Sequence, residues 1–246
     1  MSALNAASRR FLDHIFGDAS KAWLVVGRHD AQDKLVMVPG KEGPAGTFGL
    51  PEDADQYYCI GTVGPGGRTN VQRVHALVID DVGKEIDEFG FRAFFPLKGI
   101  WRESSAGSHQ VVVKITGGME PDEFRALRMA MKADPIWGDA HNVGAAAIYR
   151  LPQGTHTKST RGGFKPRDVE WNDDEYTPEE IWKALAPAGA LKALPKGSAA
   201  DRIPAGGLLA DLLALIPNDQ RDWDRLVNVG RAVWGASGGQ IGRAHV

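Results

Sequence analysis

The sequence predicts a mixed α/β domain that ends near residue 172, and three observations carry that prediction. Strand-like apolar runs alternate with helix-period segments over the first part of the chain. One run, Val74 to Ile79, is almost continuously apolar and ends at Asp80-Asp81, the pattern of a strand covered on both faces. Apolar residues make up 43% and charged residues 24% of the 246, the balance of a chain that buries a core.

The opening segment, through Phe11 to Phe16, reads as an amphipathic helix, not a signal peptide, because no long apolar stretch follows its positive charges. Ala22 to Gly27 is a buried strand, with Leu35 to Val38 as its hairpin partner. Gly40 to Gly49, rich in glycine and proline, reads as a loop, and Tyr57 to Thr62 as a short strand. Gln110 to Ile115 is a strong strand entered from the small-residue turn Ser104 to Ser108. Pro121 to Lys132 is a helix: Pro121 suits its first turn, Asp122 and Glu123 its positive end, and Phe124, Leu127 and Met131 share a face. Ala145 to Leu151 returns to a strand pattern.

Residues 173–204 then form an acidic helix and a linker. Thr177-Pro178-Glu179-Glu180 is a capping box with proline at the first helical position, and an Ala/Pro/Gly-rich stretch follows Leu185. Residues 205–246 are helical again, with leucines from Leu208 to Leu215 and a second apolar period from Trp223 to Trp234. Two such short helices bury little alone, so they read as the start of a helical domain that continues beyond Gln240. The last residues, Ile241 to Val246, resemble a translated sequencing adapter.

The net charge of −2 gives no global basic signature, so nucleic-acid contact would rest on a local patch. The lone Cys59 excludes a disulfide framework and reads as a small buried hydrophobe. No apolar run approaches the roughly 20 residues that span a bilayer, and a cytosolic location is expected. No Cys/His set has zinc spacing, and no GxxxxGK[ST] loop is present. His75 and His141 read as packing or surface histidines.

Three constellations could carry chemistry. Asp80 and Asp81 close a buried strand, where carboxylates can hold Mg²⁺ beside phosphate oxygens. Adjacent strand residues point to opposite faces, so both can serve one metal only if the strand ends or bends there, as Gly83 would permit. Glu103 to Gln110 is a small-residue turn that could cradle a phosphate, with Ser108, His109 and Gln110 at its exit. Arg150 to Lys158 brackets a Gly-Thr turn with two cations, and Arg161, Lys165 and Arg167 extend the basic stretch toward a nucleic-acid backbone. Taken singly, these read more readily as a turn, a hairpin and a solvated basic loop.

Together and in this order, they resemble the archaeo-eukaryotic primase superfamily, in particular RepB-like primase-polymerase domains of phages and plasmids. That family carries DDVGTK, ETSPGNxQ or ETSPGNxH, and RLPxGTNTK motifs, matched here by Asp80 to Glu85, Glu103 to Gln110 and Arg150 to Lys158. Asp139, in Trp137-Gly138-Asp139, matches a further acidic position. The similarity spans roughly residues 8 to 165, and the tail from Leu213 to Ala232 resembles the start of a primase C-terminal helical domain. The acids here are adjacent, where the superfamily usually separates them by one residue. Gln110 stands where histidine is usual, and His156 where asparagine is usual.

The resemblance implies an α/β (α+β) primase-polymerase core with an RRM-like mixed sheet over residues 1–172. It implies template-directed nucleotidyl transfer for phage or plasmid DNA replication. Asp80, Asp81 and Asp139 would hold Mg²⁺ or Mn²⁺; Ser108, His109, Gln110, Arg150 and Lys158 would bind the nucleotide; Arg161, Lys165 and Arg167 would meet nucleic acid. The implied partners are a single-stranded DNA template, NTP or dNTP, and a helicase in the same natural chain or in trans. The alternatives are a non-catalytic replication-initiation or DNA-binding module and another metal-dependent phosphoryl-transfer enzyme, such as a nuclease.

Overall fold

A computed structural model of the chain describes residues 4–132 and 144–185. Asp139, His141, most of the linker and the helical segment 205–246 lie outside the described residues. In chain order the elements are α1 (Ala6–Phe16), β1 (Trp23–His29), β2 (Leu35–Pro44), β3 (Asp55–Cys59), β4 (Gly61–Val63), β5 (Val71–Val82), α2 (Glu88–Phe94), β6 (Ile100–Ser105), β7 (Ser108–Met119), α3 (Pro121–Met131), β8 (Ile148–Arg150), β9 (Arg167–Glu170), β10 (Glu175–Tyr176) and α4 (Pro178–Leu185). This is the α+β class the sequence predicts.

The strands form two sheets. The first has the order β2-β1-β3-β8 and the second β4-β5-β7-β6-β9, with β10 also pairing β7. All pairings are antiparallel except that of β10 with β7, which makes the second sheet mixed. The chain passes from one sheet to the other at Ile60, whose N–H donates to Ala147 and whose carbonyl accepts from His75. The run from Tyr57 to Thr62 is thus two strands, not one. The expected loop from Gly40 to Gly49 also needs correction. β2 continues to Pro44, because Trp23, Leu24 and Val25 offer it a buried neighbour across Pro44, Gly43 and Glu42. Pairing with a buried strand outweighs the turn propensity of glycine and proline.

Local signals set the helix ends. The Asn5 side chain accepts from Ser8 N–H at 2.7 Å to open α1, and Gly17, at φ 72°, closes it. Phe11, Leu12, Ile15 and Phe16 then bury one face, each contributing about 1.5–3 kcal/mol. Phe11 meets Tyr58 edge to face at 4.9 Å. The capping box of α4 forms as the sequence predicts: Thr177 N–H donates to Glu180 Oε2 at 2.8 Å, and Glu180 N–H to Thr177 Oγ1 at 3.3 Å. Ile181 and Leu185 of α4 are buried in the common core, and Trp182 donates to Glu123 on α3 at 3.1 Å. The compact unit therefore runs to Leu185, past the change in composition near residue 172.

One buried cation ties the layers together. Arg102 on β6 has no exposed side-chain surface. Its Nε donates to Asp168 at 2.8 Å, its Nη1 donates to the Arg150 carbonyl at 2.6 Å, and its guanidinium lies 3.9 Å from the Phe11 ring. It thereby joins the second sheet to the last strand of the first and to α1. Arg102→Met should destabilise the fold by about 3–5 kcal/mol, because Asp168 loses its counter-ion and the Arg150 carbonyl its donor. Urea unfolding measures this, and adding Asp168→Asn should recover part of the loss.

Candidate functional site

β5 and β7 pair in one register at Ile79↔Val111 and in another at Val82↔His109. Two residues, Asp80 and Asp81, therefore face one, Gln110, which makes a β-bulge. Asp81 takes φ 56°, a left-handed conformation that aspartate tolerates better than most side chains. Gly83 follows at φ 91°, where a Cβ would stand 2.7 Å from the Gly107 carbonyl oxygen, so only glycine fits. The Asp81 carbonyl then accepts from the N–H groups of Lys84, Glu85 and Ile86 and turns the chain. The bulge suspends the alternation that would send the two adjacent carboxylates to opposite faces. Asp81 N–H donates to Asp80 Oδ1 at 2.9 Å. Asp81 Oδ1 accepts from Ser108 Oγ at 3.0 Å and lies 3.6 Å from Lys84 Nζ.

The β6–β7 hairpin supplies Ser108. Its turn is Ala106-Gly107, and it separates the three candidate residues that follow. Gln110 is paired with Arg102 and so faces the interior between the sheets, with only 3% exposure. Its Oε1 has no hydrogen-bond partner among the described residues. His109 points the other way, edge-on to Trp101 at 5.8 Å, with Nδ1 3.6 Å from Glu88 Oε2 on α2. Ser108 and Gln110 thus share a face, and His109 does not.

Arg150 ends β8 opposite Tyr57 on β3. Its guanidinium lies 5.0 Å from the Tyr57 ring, and its Nη1 donates to Asp55 Oδ1. Asp55, 1% exposed, is the hub of a polar cluster that sequence reasoning missed. Its Oδ2 accepts from Thr157 Oγ1 and, at 3.2 Å, from Thr157 N–H, and it lies 3.0 Å from His29 Nδ1. His156 Nδ1 is 3.6 Å from Asp55 Oδ1. One ligand atom each from His29, Asp55 and His156 lies within 4.8 Å of the others, close enough for this group to bind a metal ion. Both carboxylate oxygens are already engaged, so an ion there would compete with Arg150. The signal in the sequence was slight: Asp55 is one acid among several between Glu52 and Tyr57, and His29 lies in an unremarked strand end.

The other basic candidates are dispersed. Lys158 caps the short 3-10 turn Ser159–Arg161, which Asp33 anchors through Ser159 N–H and Oγ at 2.9 and 2.7 Å. Lys165 lines a cavity of about 270 Å³ together with Gln56, which alternates to the opposite face of β3 from Asp55. Arg167 pairs with Glu103 at 2.9 Å, across β9 and β6. Asp81 is brought to Ser108, with Asp80 accepting from the Asp81 N–H, and Arg150 to Asp55. Burial drives the Tyr57 phenol far above its ordinary value; Arg150 opposes this, and Asp55 and, last, Asp80 add to it.

Burial, and next the Arg150 charge, lower His156 to about 4, against a weaker opposing pull from Asp55. Burial raises Asp55, but Arg150 and the Thr157 hydrogen bonds outweigh it and hold the carboxyl below its usual range. His156 is therefore neutral in the folded protein and takes up a proton near 6.5 only when unfolded. Its contribution to stability is complete above about pH 6.5 and is lost as pH falls toward 4. Burial depresses His14 and His75 in the same direction. Tm should fall between pH 7 and pH 4.5, and by less in His156→Gln. An equal fall in the variant would assign the acid sensitivity to the other two histidines.

No family model matches this sequence, and no curated protein does. Among solved structures, the AEP domain of the primase-polymerase of cyanophage S-2L is similar, with a TM-score of 0.59 and 13% identity over 75% of this chain and 100% of that one. A crystal structure of primase RepB′ has a TM-score of 0.49 and 14% identity, covering 87% of this chain and 75% of that one. The catalytic domain of primase RepB′ in complex with initiator DNA has a TM-score of 0.47 and 14% identity, covering 77% and 100%. At such identities the similarity is one of fold: this α+β chain is built like the AEP domain of the cyanophage primase-polymerase.

Proposed function

We propose that the chain is a nucleotidyltransferase that extends or initiates a strand on a single-stranded DNA template, using NTP or dNTP. The observation that carries this reading is the bulge that gathers Asp80 and Asp81 at the end of β5, with Ser108 hydrogen-bonded to Asp81 at 3.0 Å. The fold similarity to the cyanophage primase-polymerase domain supports it.

The donor set suits Mg²⁺ or Mn²⁺, since both acids are partly exposed and offer hard oxygen ligands. Asp80 and Asp81, with Asp139 from outside the described residues, would hold the ions. Bound there, such ions stabilise charge on the attacking and leaving oxygens. Ser108 orients the Asp81 carboxylate, and Lys84 partly offsets its charge. Gln110, which faces the interior with an unpaired amide oxygen, would present a neutral contact to the incoming nucleotide. Arg150 and Lys158 would offset phosphate charge, and Arg161, Lys165 and Arg167 would meet the DNA backbone. His109 lies on the other face, beside Glu88 and Trp101, and would contact the nucleotide from there.

Primer synthesis and primer extension, each on single-stranded template with Mg²⁺ or Mn²⁺, test the proposal. Asp81→Asn keeps a residue that tolerates φ 56° while removing the charge. It should lower product by about 100-fold or more, the scale lost when a charge-stabilising group is removed from a reaction centre. DNA binding without product under either metal would favour a replication-initiation or DNA-binding module, and template degradation would favour a nuclease. Binding of single-stranded DNA across a salt series checks the basic loop: Lys158→Ala should reduce the log–log salt slope by about 0.7–1 if the side chain meets one phosphate.

A further inference from the structure

The cluster around Asp55 is drawn from three distant parts of the chain, the ends of β1 and β8 and the loop beyond β8, and converges on the first residue of β3. The Asp55 side chain has no exposed surface, and an isolated carboxylate there would be costly to bury. Its partners offset that cost in a definite order. The Thr157 hydroxyl accepts from His29 N–H at 2.7 Å, which frees its own proton for Asp55 Oδ2. Thr157 N–H adds a second bond to the same oxygen at 3.2 Å. Oδ1 is left for Arg150, which donates to it through Nη1. Arg150 carries five N–H donors, and among the described residues this is its one side-chain hydrogen bond to protein. The side chain keeps 12% exposure, and its guanidinium is also confined over the Tyr57 ring at 5.0 Å. The fork is therefore held by one edge and retains donors for an external anion.

We propose that Asp55 is a positioning residue: locked by Thr157 and His29, its carboxylate holds the Arg150 guanidinium in place to receive the phosphates of the incoming nucleotide. This rests on the nucleotidyl-transfer reading above. It also opposes use of the cluster as a resident metal centre, because a cation and Arg150 would compete for the same oxygen.

Calorimetric titration of the full chain with dATP at pH 7.5 tests the proposal, using Asp55→Asn, Thr157→Val, Arg150→Ala and the Asp55→Asn/Arg150→Ala pair. Asp55→Asn should weaken dATP binding about 10-fold, and Arg150→Ala by a similar factor. The double variant should bind no worse than Arg150→Ala alone, since residues that act through one another are non-additive. Thr157→Val should weaken binding about 3-fold, and it carries the test if Asp55→Asn does not fold. In the extension assay Asp55→Asn should raise the nucleotide KM about 10-fold and leave kcat within about 2-fold, the mark of lost uniform binding.

Additive losses in the double variant would overturn the proposal. So would wild-type dATP affinity and KM in Asp55→Asn with only Tm lowered, or a stoichiometric Zn²⁺ or Mn²⁺ site that is lost in both Asp55→Asn and His29→Ala. A wild-type chain that binds dATP but incorporates none would overturn the polymerase reading alone and leave the Asp55 comparison decisive. A wild-type chain that binds no dATP would overturn both.

Discussion

Arg102 is the constraint on which the architecture turns. Its guanidinium, without solvent, reaches groups on different layers: hydrogen bonds to Asp168 on β9 and to the Arg150 carbonyl at the end of β8, and a cation–π contact with the Phe11 ring on α1, while Nη2 has no hydrogen-bond partner among the described residues. The two sheets share a chain crossing at Ile60, but that crossing fixes only one end of their relation. Arg102 fixes the other, and it does so at the residue whose side chain belongs to the candidate site. Moving β6 relative to β8 would displace the Arg150 backbone, and with it the guanidinium that Asp55 holds.

The same economy governs the acids. A regular strand would have presented Asp80 and Asp81 to opposite faces, one of them toward the core. The bulge against Gln110 and the left-handed Asp81 let both carboxylates remain half-exposed at the strand end. Gly83 is needed because the hairpin turn at Gly107 packs against it with no room for a side chain. The close approach of these two turns brings Ser108 within reach of Asp81. Acids and hairpin thus belong to one local structure, although 27 positions separate Ser108 from Asp81.

Much of the fold was legible because its signals are local. The apolar run Val74 to Ile79, the proline-started α3 and the capping box of α4 all depend on residues close in sequence. The errors arose where partners are distant. Gly40 to Pro44 reads as a loop until β1 offers it a buried neighbour. Tyr57 to Thr62 reads as one strand, because nothing local marks Ile60 as the change of sheet. The candidate site divides in the same way. Asp80, Asp81, Ser108 and Arg150 stood in recognisable short motifs. Asp55 and His29 did not, since their meaning comes entirely from a carboxylate buried 95 positions away from the arginine it holds.

Asp55 and Asp81 differ in how closely a cation meets them. Asp55 is neutralised in place: Arg150 supplies a full opposite charge at contact distance, and Thr157 fills the other oxygen. A cation bound there would compete with Arg150 for Oδ1. At the end of β5 the cation paired with Asp81, Lys84, is 45% exposed and 3.6 Å away, an arrangement that water screens strongly. The Asp81 carboxylate is thus only weakly offset by Lys84, whereas the Asp55 carboxylate is met by Arg150 at contact.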